Sequence, residues 1–250
     1  MSNNDRYAGA ENDSNRRPEA QEAPTATSSR KIPVPTPPVP REFKTCFDKD
    51  FLKGYHKGTM EYTYKGVSCL KDPIDLALYM KLIWEVKPAT IVEIGSFKGG
   101  SAVFFKDLSE IYGIETEVVT VDFRAIQDHG DPRIRFIQAD ALNLQDSDLH
   151  AALEDLPRPW LILEDSAHTF EVCYAVLKYF KDRLNPGEVL VMEDGVVEDQ
   201  GANAYYNGGP NLAISQFFSE HPDCFEIMED YTDAFGRNAT FNPNGYLRKL

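Results

Sequence analysis

After Glu42 the apolar positions follow two alternating rhythms: short runs rich in β-branched residues, and longer stretches where apolar side chains return every three or four positions. Such alternation is how a parallel sheet with crossover helices reads. The stretch KDPIDLALYMKLIWEVKP predicts a helix, with Asp72 as N-cap and Pro73 in the first turn. Leu78, Leu82, Ile83 and Val86 share one face of it, and Pro88 is its stop. TIVEIG predicts a first sheet strand and a helix follows from about Gly99 to Tyr112; EVVTVDF and IRFIQAD predict the second and third strands. A short helix is expected near Leu149 to Leu156, and WLILED predicts the fourth strand. From Thr169 a long helix carries Val172, Val176, Tyr179 and Phe180 at core spacing; NPGE ends it and feeds the fifth strand, VLVMED. A loop from Gly195 to Pro210 leads to the helix NLAISQFFSEH, and CFEIMEDY and GYLRKL predict two closing strands paired as a hairpin at the sheet edge. The expected fold is therefore α/β: a doubly wound, mostly parallel, seven-stranded Rossmann-like sheet with helices on both faces and its last strand antiparallel.

Composition divides the chain in two. Residues 1–40 are polar and then proline-punctuated (KIPVPTPPVPREF), too poor in large apolar groups to offset their ordering entropy, which leaves 41–250 as the folded domain. The tail is expected to be flexible, with packing on a neighbouring subunit of a homo-oligomer as its sharper role. The N-terminus lacks the apolar stretch of a signal peptide, and no run approaches the roughly 20 apolar residues that span a bilayer, so a cytoplasmic protein without a membrane partner is expected. With 40 acidic against 26 basic residues, the net charge of −14 argues against nucleic acid or an anionic membrane as the main partner and for a small-molecule substrate. Cys46, Cys69, Cys173 and Cys224 form no CxxC pair, so neither a zinc cluster nor a disulfide framework is suggested.

The placement of charge is more telling than its total. WLILEDSAHTF and EVLVMEDG each end a buried-looking strand in paired acids, and ligands of open α/β sheets bind beyond the carboxyl ends of the strands. Carboxylates converging there repel one another unless a cation compensates, and Mg2+ prefers such hard oxygens. The glycine turn EIGSFKGGSA lies between the first strand and its helix but departs from the dinucleotide spacing G-x-G-x-x-G, and no G-x-x-x-x-G-K-[ST] phosphate loop occurs. Glu93, Asp122 and Asp140 sit at or near the ends of the first three strands. Acceptor groups in that series suit an amine, ribose hydroxyls and an adenine amino group, the donor set of S-adenosylmethionine.

Six segments in one order, GVSCLKDPIDLALY, IVEIGSFKGGSAVFF, DSAHTFE, LVMEDG, GGPNLAISQFF and NPNGYLRK, resemble the cephalosporin hydroxylase and rhamnosyl O-methyltransferase family, which includes sugar O-methyltransferases of glycosylated antibiotics. The resemblance covers about Tyr64 to Leu250. It implies a class I methyltransferase fold, bound S-adenosylmethionine, a magnesium ion and a sugar acceptor presented as a nucleotide-sugar or on a glycosylated natural product. By motif, Asp165, Glu193 and Asp194 would be the metal ligands and His168 the general base. Glu93, Gly95, Ser96, Ser101, Asp122, Asp140 and Ala141 would contact the cofactor. The chain departs from the family pattern at Phe97 and Lys98, which enlarge the glycine turn, in VDF, which lacks a second acid, and at Phe170, where tyrosine is frequent.

His168 follows Asp165 by three residues, close enough to reach a metal-bound hydroxyl, whereas His56, His129, His150 and His221 are expected at the surface or in loops. Tyr205, Tyr206 and Asn207 would make the Gly195–Pro210 loop an acceptor clamp, with Tyr55, His56, Tyr62 and Tyr64 covering the other side. Two further readings stand beside this one. A nicotinamide-dependent hydroxylase or oxidoreductase component would bind NADH and not the methyl donor. A non-catalytic assembly partner would have no use for the clustered charge of DSAH and MEDG.

Overall fold

The computed structural model describes residues 41–125 and 131–250; the proline-punctuated tail and His129 lie outside the described residues. The first helix, α1 (Lys49–Glu61), is capped by Asp48, whose carboxylate accepts from the Phe51 amide, and buries only Leu52 and Thr59. A hairpin of β1 (Thr63–Tyr64) and β2 (Val67–Ser68) turns on Lys65 and Gly66, both with left-handed backbone at φ 49° and 81°. Two such residues are what a tight two-residue hairpin turn requires. In α2 (Pro73–Val86) the Asp72 side chain accepts from the Ile74 and Asp75 amides, and Leu78, Leu82 and Ile83 are buried, as the periodicity predicts.

The sheet is then laid down as β3 (Thr90–Ile94), α3 (Gly100–Ile111), β4 (Glu117–Asp122), β5 (Ile134–Gln138), α4 (Asp148–Leu153), β6 (Trp160–Glu164), α5 (Phe170–Phe180) and β7 (Val189–Met192). After β7 come α6 (Gly209–Glu220), β8 (Phe225–Ile227), α7 (Glu229–Thr232) and β9 (Tyr246–Lys249). The seven strands are ordered β5-β4-β3-β6-β7-β9-β8, with β9 antiparallel to both neighbours. The expected architecture is thus present. β8 and β9 pair antiparallel at the sheet edge with β8 outermost, and CFEIMEDY is strand only to Ile227 before turning at Met228 into the acidic start of α7.

Each face of the sheet carries its own core. Val92, Ile94, Ile162, Leu190 and Met192 pack against α4, α5 and α6, while Ile91, Leu161, Leu163, Val189 and Val191 pack against α2 and α3. The two-residue period of the strands produces this division directly. Beyond β9's partner strands, Arg41 binds Asp233 at 2.8 Å and Asn244 at 3.1 Å, and Asn238 donates to the Glu42 and Lys44 carbonyls, so the segment before α1 is fastened to the turn that feeds β9. Among the described residues no helix is long and apolar enough to cross a membrane.

Candidate active site

Strand order reverses between β3 and β6, and the register there is level: Ile94 lies opposite Glu164, and Glu164 opposite Met192. Gly95, Asp165 and Glu193 therefore emerge side by side. Their main chains are tied as well, the Asp165 amide donating to the Ile94 carbonyl at 2.8 Å and the Glu193 amide to the Glu164 carbonyl at 2.9 Å. Gly95 has φ 109°, and a Cβ there would collide with the Asp165 carbonyl, so glycine is what permits the two strand ends to close up.

Alternation then sorts the acids. Glu93, Asp165 and Glu193 follow the residues facing α2 and α3, and from that side comes Lys71, whose side chain is 1% exposed. Its ammonium bonds to Asp165, reaches both Glu193 oxygens at 2.7 and 2.8 Å, and lies 3.8 Å from Glu93. Burial alone would discharge Lys71, but Asp165, Glu193 and Glu93 outweigh it and hold the ammonium well above the ordinary lysine range. Burial and the neighbouring Asp165 also push the Glu193 carboxyl upward, against the pull of Lys71. Sequence reasoning missed Lys71. A single lysine preceding a helix cap carries no pattern, and only the fold turns it inward.

On the opposite sense of the alternation, Asp194 joins Asp165 and His168. Ligand atoms of these three side chains lie within 4.8 Å of one another, a grouping that can hold a metal ion. His168 Nε2 is 3.2 Å from Asp194 Oδ2 and 3.8 Å from Asp165 Oδ1. Burial raises the Asp194 carboxyl, with His168 drawing it back. Glu193, adjacent to Asp194 in sequence, bonds to Lys71, while His168 stands beside Asp165 and Asp194. Two carboxylates with an imidazole beside them suit a hard divalent cation that keeps open positions.

Two clefts meet over these strand ends, sharing Gly95, Phe97, Asp165 and Ser166. One, of about 350 Å³, is walled by Asp122, Asp140 and Ala141. Asp122 accepts from the Phe97 and Arg124 amides at 3.0 Å each, and Asp140 from the Leu142 amide at 2.9 Å, which leaves lone pairs on both for a ligand. The other, of about 240 Å³, contains Ser96, Ser101, His168 and Asp194. Of the expected cofactor contacts only Glu93 lines neither cleft. It is fully buried, accepting from Ser101 and from Thr120, whose hydroxyl also meets that of Ser96, so it braces the wall from beneath. In the smaller cleft Cys69 is buried and its thiol pushed up to about 12 by desolvation, which removes it as a nucleophile.

The expected clamp divides as well. Tyr206 lines the smaller cleft with its ring edge-on to His168 at 6.0 Å, while Tyr205 is 81% exposed and Asn207 bonds to Glu171. Opposite them His56 stands on α1 and lines the same cleft, on the side expected for the acceptor cover and not in a loop. Tyr55 is occupied by Asp72, and Tyr62 and Tyr64 pack with the α2 and α3 core.

Strand order and a glycine turn at the switch point define the class I methyltransferase fold. The match to the family model Rhamnosyl O-methyltransferase/CmcI extends over residues 56–250, and the chain belongs to that family of S-adenosylmethionine-dependent O-methyltransferases. The Rhamnosyl O-methyltransferase of Mycobacterium tuberculosis (strain ATCC 25618 / H37Rv) is 28% identical over 209 residues, 77% of this chain and 82% of the relative. That of Mycobacterium leprae (strain TN) is 28% identical over 193 residues, 74% of this chain and 82% of its own. Among solved structures, the apo form of CmcI-N160 superposes with a TM-score of 0.60 at 27% identity, covering 76% of this chain and 77% of its own. The SAH form of cmcI-N160 gives 0.58 at 27% identity, covering 76% and 82%.

Proposed function

We propose that the protein methylates a hydroxyl of a rhamnose-type deoxysugar, carried on a nucleotide or on a glycosylated natural product of secondary metabolism, with S-adenosylmethionine as donor and Mg2+ as cofactor. The observation that carries this reading is the meeting of the two clefts at Gly95, Asp165 and Ser166, one walled by acceptors suited to adenosine and the other holding Asp165, His168 and Asp194. The SAH complex of cmcI-N160 and the rhamnosyl substrate in the names of the mycobacterial relatives point the same way.

In this reading Asp122 and Asp140 receive the ribose hydroxyls and adenine amine, and Gly95, Ser96 and Ser101 surround the amino-acid end of the donor. Asp165 and Asp194 would hold Mg2+, Glu193 being engaged by Lys71. The ion, when bound, supplies Lewis acidity that makes a sugar hydroxyl easier to deprotonate. His168 Nε2 accepts the hydroxyl proton. S-adenosylmethionine, when bound, would supply the methyl carbon, the carbon–sulfur electron pair returning to sulfur as the oxygen–carbon bond forms. Tyr206 offers an aromatic wall to the sugar ring.

The test is methyl transfer to a nucleoside-diphosphate rhamnose and to a phenolic rhamnoside, before and after exhaustive chelation. Transfer to at least one, abolished by chelation and restored by Mg2+ while S-adenosylhomocysteine still binds, is the expected result. Undiminished turnover in the chelated protein removes the metal from the mechanism, and NADH binding without donor binding replaces the reading by the oxidoreductase one.

A further inference from the structure

One cation is already built into the acid cluster. Lys71 is 1% exposed at its side chain, and Asp165, Glu193 and Glu93 ring its Nζ and compensate the buried ammonium. Its two closest partners are a carboxylate that also belongs to the candidate metal group, Asp165, and one that the sequence motif assigns to the metal but the fold assigns to the lysine, Glu193. Both Glu193 oxygens accept from the ammonium. A buried carboxylate left without its counter-charge is costly, so the lysine lets this corner of the protein fold with its acids in place and no ion bound.

We propose that Lys71 is a positioning residue that stands in for the divalent ion: it holds Asp165 and Glu193 in the ion-free protein and contends with the ion for the same carboxylates, setting how tightly the ion binds. The inference rests on the metal reading above and adds a residue and a direction to it. A unit positive charge that shares Asp165 and Glu193 with an incoming dication opposes it electrostatically. Removing the charge while keeping the volume, Lys71→Met, therefore tightens ion binding by about tenfold or more.

The experiment is Mn2+ titration of the metal-stripped protein by electron paramagnetic resonance, with S-adenosylhomocysteine binding by calorimetry as the check that the fold is intact. Lys71→Met should bind Mn2+ at least tenfold more tightly than wild type with S-adenosylhomocysteine affinity within twofold. Its thermal midpoint should be lower than wild type without metal and should recover more on adding Mg2+. Equal or weaker Mn2+ binding in a variant that still binds S-adenosylhomocysteine overturns the role given to Lys71. Absence of Mn2+ binding in both proteins overturns the metal reading itself, and the two failures are thereby separable. Should the variant not fold, the wild-type protein decides: the nitrogen-15 resonance of the buried Lys71 ammonium shifts as Mg2+ saturates the site, and an unmoved resonance overturns the inference.

Discussion

His168 and Asp194 share an uncommon backbone, with φ of 54° and 59° in the left-handed region. Non-glycine residues held there cost about 1–3 kcal/mol and persist only where the surroundings over-determine them, although Asp and His enter the region more readily than most. The surroundings are visible. The Asp194 amide donates to Asn242 Oδ1 at 2.9 Å, and the Phe170 amide, two residues past His168, donates to the Tyr206 carbonyl at 3.0 Å. What the strain achieves is direction: both side chains meet over Asp165 instead of following their strands outward. A base in that position is worth about 10²–10⁴ in rate. His168→Asn, which tolerates the same backbone, should therefore lose turnover by that factor while S-adenosylhomocysteine binding stays within twofold and the melting temperature is little changed. Steady-state kinetics beside calorimetric titration check it, and an Asn variant with wild-type turnover removes His168 from proton transfer.

At the scale of elements, the site is a consequence of level strand ends, and Gly95 is the residue that lets them be level. With φ 109° and the Asp165 carbonyl lying where a Cβ would project, Gly95→Ala must move β3 or β6. A stability loss of about 3 kcal/mol in urea unfolding is expected, with S-adenosylhomocysteine binding falling in parallel; a loss below about 0.5 kcal/mol would show the strand ends to be free to separate. This much of the architecture was legible beforehand: α2 with its Asp72 cap, the five parallel strands and the acids at their ends all followed from period and capping. The same two-residue period also separates Glu193 from Asp194, which a motif treats as one unit. Other elements carried weaker signals. In α1 the glycines at 54 and 58 interrupt the apolar period, and packing on Phe241 supplies what the period lacks. The hairpin on Lys65 and Gly66 had its turn signal but strands of only two residues each. Lys71 was illegible in principle, because its meaning lies in three carboxylates that the chain supplies 22, 94 and 122 residues later.

The whole molecule carries a net charge of −14, so the acids it buries decide how its stability responds to pH. Glu164 is the clearest of them. It ends β6 fully buried, one oxygen accepting from the Ser166 hydroxyl at 2.6 Å, while Oε2 has no hydrogen-bond partner. Desolvation pushes its carboxyl up to about 7, with Ser166 and His168 holding it from going higher. Between the ordinary glutamate value and 7 the folded state therefore binds a proton that the unfolded chain has released. The sign follows: this group's stabilising share is complete at low pH, is lost as pH rises through that window, and is flat above it. From pH 5.5 to pH 8, both above the isoelectric point of about 4.8, the loss amounts to about 2 kcal/mol. Glu164→Gln keeps the shape and cannot ionise, so in metal-stripped protein its urea-unfolding free energy should fall less than that of wild type over the same interval, by that amount. Titrating groups that do not touch Glu164 are common to both proteins and cancel in the comparison. Parallel pH profiles for the two would mean that Glu164 titrates in the folded state as it does in the unfolded chain.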